Sequence, residues 1–258
     1  MKTSEKTRWG PILAALLIVA CGSLLRLTYN SETFFIEPVR ADAAYYFQYA
    51  INLVEHGTFS RERSDNPTPD AYWAPGYPVF LAANLKLAGS SSIEAYDLIL
   101  NSQVAVAAGS IWLLFLLGRL FMPSYWSLLP ALLLAFSPHH VSLGSYALTE
   151  TLFGFTLLGS IYFLAKGLGS TNRWDYLTCG IFLAAAYLVN PVSVVVVPAI
   201  AFLLWLLRTK AGRSDRLQVN MGMCCLLLVP VLLTASLWSI RSAVMVPADQ
   251  SGSADRLL

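Results

Sequence analysis

The sequence predicts an all-α, polytopic membrane protein with about seven transmembrane helices and two interfacial helices in the first outside loop. Three observations lead there. The 258 residues are 56% hydrophobic and 12% charged, whereas a soluble domain carries about 25% charged residues. Mean hydropathy is +0.59. The apolar residues also fall in runs long enough to cross a bilayer, which takes roughly 17–25 residues per helix, and the basic residues cluster between those runs.

The first run, Gly10–Leu27, is long and lacks the small-residue cleavage site of a removed signal peptide, so it reads as a permanent helix. The others are Ala95–Leu117, Leu120–Ser137, Leu148–Ala165, Trp174–Val189, Val192–Leu207 and Leu217–Ile240. Pro78–Ala88 is apolar but short, carries Asn84 and Lys86, and fits an interfacial or re-entrant helix better than a span. Lys and Arg accumulate in short cytoplasmic loops. Seven spans with a cytoplasmic N-terminus place Lys2, Lys6, Arg8, Arg119, Lys166, Arg173, Arg208, Lys210, Arg213 and Arg216 all inside. Counting Pro78–Ala88 as an eighth span would move the Arg208–Arg216 cluster outside. On this reading residues 1–240 form one transmembrane module and 241–258 an outside tail.

The first outside loop, Thr28–Glu94, holds the longest polar stretch before the C-terminus. Loops this long in compact proteins carry function. Within it Asp42–His56 has helical periodicity, with Ala43, Phe47, Ala50, Ile51 and Val54 on one face and Tyr45, Gln48, Asn52 and Glu55 on the other. Asp42 stands at the N-cap position and Gly57 just past the end. Pro67, Pro69, Pro75 and Pro78 then keep the chain extended until a second short helix begins near Gly76.

Composition excludes some functions. A net charge of +2, dispersed in small clusters, argues against nucleic acid as a partner. Cys21, Cys179, Cys224 and Cys225 all sit in apolar runs and imply neither a disulfide framework nor redox chemistry.

The segments ADAAYYFQYAINLVEHGTF, YWAPGYPVFLA, SYALTETLF, AYLVNPVSVVVVP and SLWSIRSAVMVP occur in that order from about Trp9 to Pro247. Together they resemble the N-terminal module of GT-C membrane glycosyltransferases, in the branch of the protein O-mannosyltransferases and the lipid A aminoarabinose transferase. The resemblance implies transfer of a sugar from a polyprenyl-phosphate donor to a lipid, glycan or protein acceptor on the outer face of the membrane. It also implies that Asp42 acts near the acceptor, that Glu150 is a second acid at the start of the fourth span, and that Trp238 and Arg241 follow the family pattern. The family's basic residue before the proline of the sixth span is replaced by Asn190.

Residue chemistry sets a second reading beside each of these. Displacement at an anomeric carbon needs a base for the acceptor and positive charge for the departing phosphate. Asp42 suits the base but equally suits a helix cap. Glu150 suits a shared acid site and equally the positive end of a helix dipole. Arg241, with Arg40 as a second candidate, is expected to hold the donor phosphate, although arginines at span ends also snorkel to headgroups. His139 and His140 are candidate ligands for a divalent metal, together with Glu150 or a loop acid, and no other cofactor is implied. Glu62, Asp65 and Asp70 read as solvated loop acids. Tyr45, Tyr46, Tyr49, Tyr72, Trp73 and Tyr77 suit either a membrane interface or a sugar-stacking wall. Two other readings stay open. A lipid-linked-sugar transporter or flippase calls for ionisable residues inside several spans, and few are present. A truncated, non-catalytic relative is the other, since family members usually continue with more spans.

Overall fold

The computed structural model describes residues 6–33, 39–89, 95–170, 172–200, 202 and 221–246. Lipid offers the backbone no hydrogen bonds, so a spanning chain satisfies its own as helix, and no strand forms among the described residues. The helices are α1 (Lys6–Glu32), α2 (Asp42–Glu55), α3 (Gly76–Ala88), α4 (Tyr96–Phe121), α5 (Leu128–Ala135), α6 (Pro138–Leu143), α7 (Glu150–Ser170), α8 (Arg173–Val189) and α9 (Met221–Met245). A 3-10 turn at Pro191–Val195 opens a short apolar helix to Ile200. The expected second half of the sixth span, the Arg208–Arg216 loop, Lys2 and the tail beyond Val246 lie outside the described residues.

Four helices among the described residues are individually long and apolar enough to cross a bilayer: Trp9–Glu32, Tyr96–Phe121, Glu150–Ser170 and Gly222–Met245. The protein is an integral, all-α membrane protein. The expected third span, Leu120–Ser137, is not one helix. α4 runs on to Phe121, a turn through Pro123 follows, and within the run only α5, of 8 residues, forms before the separate 6-residue α6 begins at Pro138. Eight residues make only about 12 Å of helix. Pro138 forces the second break, because Ser137 before it adopts an extended conformation. The broken segment nevertheless accompanies α1. A Cβ on Gly10 would meet the Tyr125 ring, and one on Gly22 would meet Ala135 and Ile111.

Three apolar clusters organise the chain. Ala15 of α1 packs with Ile111 and Phe115 of α4 and Ala131 and Ala135 of α5. Tyr176, Cys179 and Leu183 of α8 pack with Leu164 of α7 and with Leu227 and Val231 of α9. Gly180 makes the second contact possible, since a Cβ there would lie 2.3 Å from the Leu227 carbonyl oxygen. The third cluster caps one end of the bundle. α2 and α3 pack on each other and on Tyr96, Ile99 and Leu100 of α4, with Ala147 and Val189 closing the sides. Gly76 lets α3 approach the end of α8, where a Cβ would fall 2.7 Å from the backbone of Leu188.

Two expectations for α2 are corrected. Asn52, expected on its polar face, is 1% exposed, and Val54, expected on the apolar face, is exposed. The chain after α2 folds back over that side, so the Asn52 amide donates to the carbonyls of Ser60 and Glu62 at 2.8 and 2.9 Å. Asp42 is not the N-cap. That position belongs to Ala41, at φ 50° and ψ −126°, and no side chain caps the helix. Ala41 is the one non-glycine with positive φ among the described residues, a conformation that costs about 1–3 kcal/mol.

Candidate active site

The capped end of the bundle brings two sequence-predicted acids together around one phenol. Asp42 is the first residue of α2 and Glu150 the first of α7. Both are exposed, and neither is hydrogen-bonded or ion-paired among the described residues. Each carboxylate lies at the positive end of its helix, which favours the anion. Tyr46 is buried within electrostatic reach of both, with the Thr149 hydroxyl within reach of its own. Burial first, then the charges of Asp42 and Glu150, push the Tyr46 phenol up to about 12. Tyr46 meets Trp73 and Tyr77 edge to face, each at 5.2 Å between ring centres, and Tyr45 stacks on Trp73 at 6.5 Å. The Trp73 Nε1 is buried without a partner. An aromatic wall with an unused donor therefore stands beside the paired acids.

Glu150 also opens onto a cavity of about 380 Å³. Leu114, Leu134, Leu143 and Leu158 make it apolar, and Gly154 leaves part of it open. Arg26 and His140 complete its polar end. His139 and His140 lie with ring centres 5.7 Å apart, but only His140 reaches the cavity. No three His, Cys, Asp or Glu side chains converge among the described residues. The donor set around His140 and Glu150 thus falls short of the three or four protein ligands a metal site uses.

The two arginines expected at a phosphate differ in setting. Arg40 is exposed just before α2 and makes no hydrogen bond among the described residues. Arg241 is half-buried on α9. It donates to the carbonyls of Asp70 and, at 3.3 Å, Phe59, and it lies over the rings of Phe59 and Trp238 at 5.3 and 5.1 Å. Its guanidinium ties the last span to the loop that follows α2.

Asp70, expected to be solvated, is 6% exposed. Its Oδ1 accepts from the Tyr49 hydroxyl and the Tyr72 N–H (3.2 Å), and its Oδ2 accepts from the Arg61 N–H (2.9 Å). Burial, then Asp70 itself, raises the Tyr49 phenol. Glu62 and Asp65 do stay on the surface, and Glu62 accepts from the Thr68 N–H and hydroxyl at 2.8 and 2.7 Å. Nothing in the local sequence separates Asp70 from Asp65. Arg26 was also missed, although it is the only charged residue in Gly10–Leu27, and a charge inside a span is a functional signal by default.

Helical spans, two exposed acids near one buried phenol and an apolar cavity lined by one of them make up the candidate site of this membrane protein. The family is a matter of sequence: the profile of the dolichyl-phosphate-mannose-protein mannosyltransferases matches residues 69–238. The chain belongs to that family, a GT-C type of membrane glycosyltransferase. The matched region includes Glu150, His139 and His140, whereas Arg26, Arg40, Asp42 and Arg241 lie outside it. No curated protein matches the chain.

Proposed function

We propose that the protein transfers a sugar from a polyprenyl-phosphate donor to a hydroxyl or amine acceptor at the outer face of the membrane. The observation that carries this reading is the pair Asp42 and Glu150, both within electrostatic reach of Tyr46, with Glu150 lining a cavity whose apolar walls suit a lipid chain. In the reaction the acceptor oxygen or nitrogen bonds to the anomeric carbon while the bond from that carbon to the phosphate oxygen breaks. The acceptor's proton passes to Asp42, and the bonding electrons leave with the lipid phosphate. Asp42 is free to take that proton because no hydrogen bond holds its carboxylate. Glu150 orients sugar hydroxyls or the acceptor, and Trp73 with Tyr45 offers faces on which a pyranose ring stacks. Arg40 is uncommitted and available to a phosphate, while Arg241 holds the loop behind the site.

The test supplies radiolabelled polyprenyl-phosphate mannose, the sugar in the family's description, to the purified protein in nanodiscs with a membrane acceptor fraction. Transfer that disappears in Asp42→Asn supports the reading. Absence of transfer across mannose, glucose, galactose and aminoarabinose donors, with the protein folded, overturns it.

A further inference from the structure

Arg26 sits inside α1, is 2% exposed, and has no acid partner, since the only ion pair among the described residues joins Lys166 to Asp175. Three of its N–H groups are engaged. Nη1 donates to the carbonyls of Gly22 (2.9 Å) and Ala135 (2.8 Å), and Nη2 to that of Leu134 (3.1 Å). Leu134 and Ala135 end α5; the Leu134 carbonyl also accepts from the Ser137 N–H at 3.4 Å, while the break at Pro138, which has no N–H, takes the next helical donor away from the Ala135 carbonyl. Capping a broken helix accounts for those bonds. It does not account for the charge, because a neutral donor would cap as well, and a guanidinium buried without a counter-ion inside a span is costly. A guanidinium carries five N–H groups; here Nε is buried without a partner, and one N–H of Nη2 is also unused.

This cation lines the same cavity as Glu150 and His140, and the remaining lining is mostly leucine, glycine and alanine. A buried, under-satisfied cation at one end of an apolar cavity selects an anion carried on an apolar chain. We infer that Arg26 receives the phosphate of a lipid-anchored substrate, with the chain lying along Leu114, Leu134, Leu143 and Leu158. His140, within electrostatic reach of Arg26, flanks the phosphate. Glu150, the only acid lining the cavity, faces the sugar on the far side of the scissile bond. The assignment rests on the proposed transfer for the identity of the lipid, but the binding event does not require turnover. In glycosyl transfer Arg26 then stabilises the negative charge that collects on the departing phosphate.

The experiment measures equilibrium binding of tritiated farnesyl phosphate to the whole protein in phosphatidylcholine nanodiscs. Wild-type protein is expected to bind it roughly 10–100-fold more tightly than farnesol, the range of one or two charge-assisted hydrogen bonds. Arg26→Gln should lose a similar factor and Arg26→Lys less. Arg26 also braces α5, so a second variant leaves it untouched. A Cβ on Gly154 meets nothing within 4 Å, and Gly154→Leu should fill the cavity and abolish binding with unchanged thermal unfolding. Phosphatidylglycerol tests the other source of a lipid phosphate and should compete only in large excess. Equal binding of farnesol, binding indifferent to Gly154→Leu, or equal competition by phosphatidylglycerol overturns the assignment. If sugar is transferred while binding ignores both positions, this inference falls and the proposed function stands. If binding follows Arg26 and no donor is turned over, the reverse holds.

Discussion

Asp70 offers both carboxylate oxygens to the Tyr49 hydroxyl and to the N–H groups of Arg61 and Tyr72, and its own carbonyl accepts from Arg241. Asp42, at the start of the neighbouring helix, has none of this. It is exposed, caps nothing and, like Glu150, lies within electrostatic reach of Tyr46. The two acids belong to the same loop, and their surroundings divide the labour. Both carboxylate oxygens of Asp70 are engaged, and with Arg241 they fix the loop to α2 and α9. The carboxylates of Asp42 and Glu150 have no hydrogen-bond or ion-pair partner among the described residues. A hydrogen-bonded acid holds structure, whereas the exposed acid is the one assigned to the reaction in the proposed function.

The sharpest break of that comparison is to neutralise each acid. Asp42→Asn should lower transfer by roughly 10²–10⁴-fold and change stability by less than about 0.5 kcal/mol, because the helix loses no cap. Glu150→Gln should lower transfer too, and combining it with Asp42→Asn should give less than the product of the two losses, since the acids act as one unit. Initial rates with a fixed donor measure both. Near-full activity in Asp42→Asn would make it a bystander.

Asp70→Ala should do the opposite. It leaves the buried Tyr49 hydroxyl without its acceptor and frees the part-buried N–H groups of Arg61 and Tyr72, at a cost of about 1–3 kcal/mol in unfolding. Thermal unfolding in mild detergent reads this, and a midpoint equal to wild type would place Asp70 among the reagents. Arg241→Met is milder. Methionine keeps contact with Phe59 and Trp238 but frees two carbonyls, for about 1–3 kcal/mol, and faster amide hydrogen exchange in 58–72 is the expected signature.

The smallest effect is a pH dependence. The Tyr46 phenol is held protonated in the folded protein up to about 12, while in the unfolded chain it ionises near its ordinary value of about 10. Its contribution to stability is therefore complete below about pH 10 and is lost as pH rises toward 12. Tyr46→Phe should flatten the alkaline limb of stability against pH without abolishing it, because burial raises Tyr49 and Tyr77 as well.

Much of this architecture was legible in the chain. The apolar runs around α1, α4, α7 and α9, the helix that begins at Asp42, the short helix beginning at Gly76 and the acid opening α7 all follow from local composition and periodicity. The solvated state assigned to Asp70 and the continuity assigned to Leu120–Ser137 did not survive, and neither has a local signal strong enough to decide it. Arg26 had one, a charge inside an apolar run, but not the partners that give it meaning.

By itself, then, the sequence determined that the chain enters a membrane as helices and that a polar, aromatic loop follows the first of them, because partition into lipid and helical periodicity are properties of neighbouring residues. Only the tertiary structure decided which acids are bound and which are free, where the third run breaks, and what each arginine holds. Arg26 reaches Ala135 across 109 positions and Arg241 reaches Asp70 across 171. Whether a buried charge or carbonyl is satisfied depends on groups that only folding brings within about 3 Å of it.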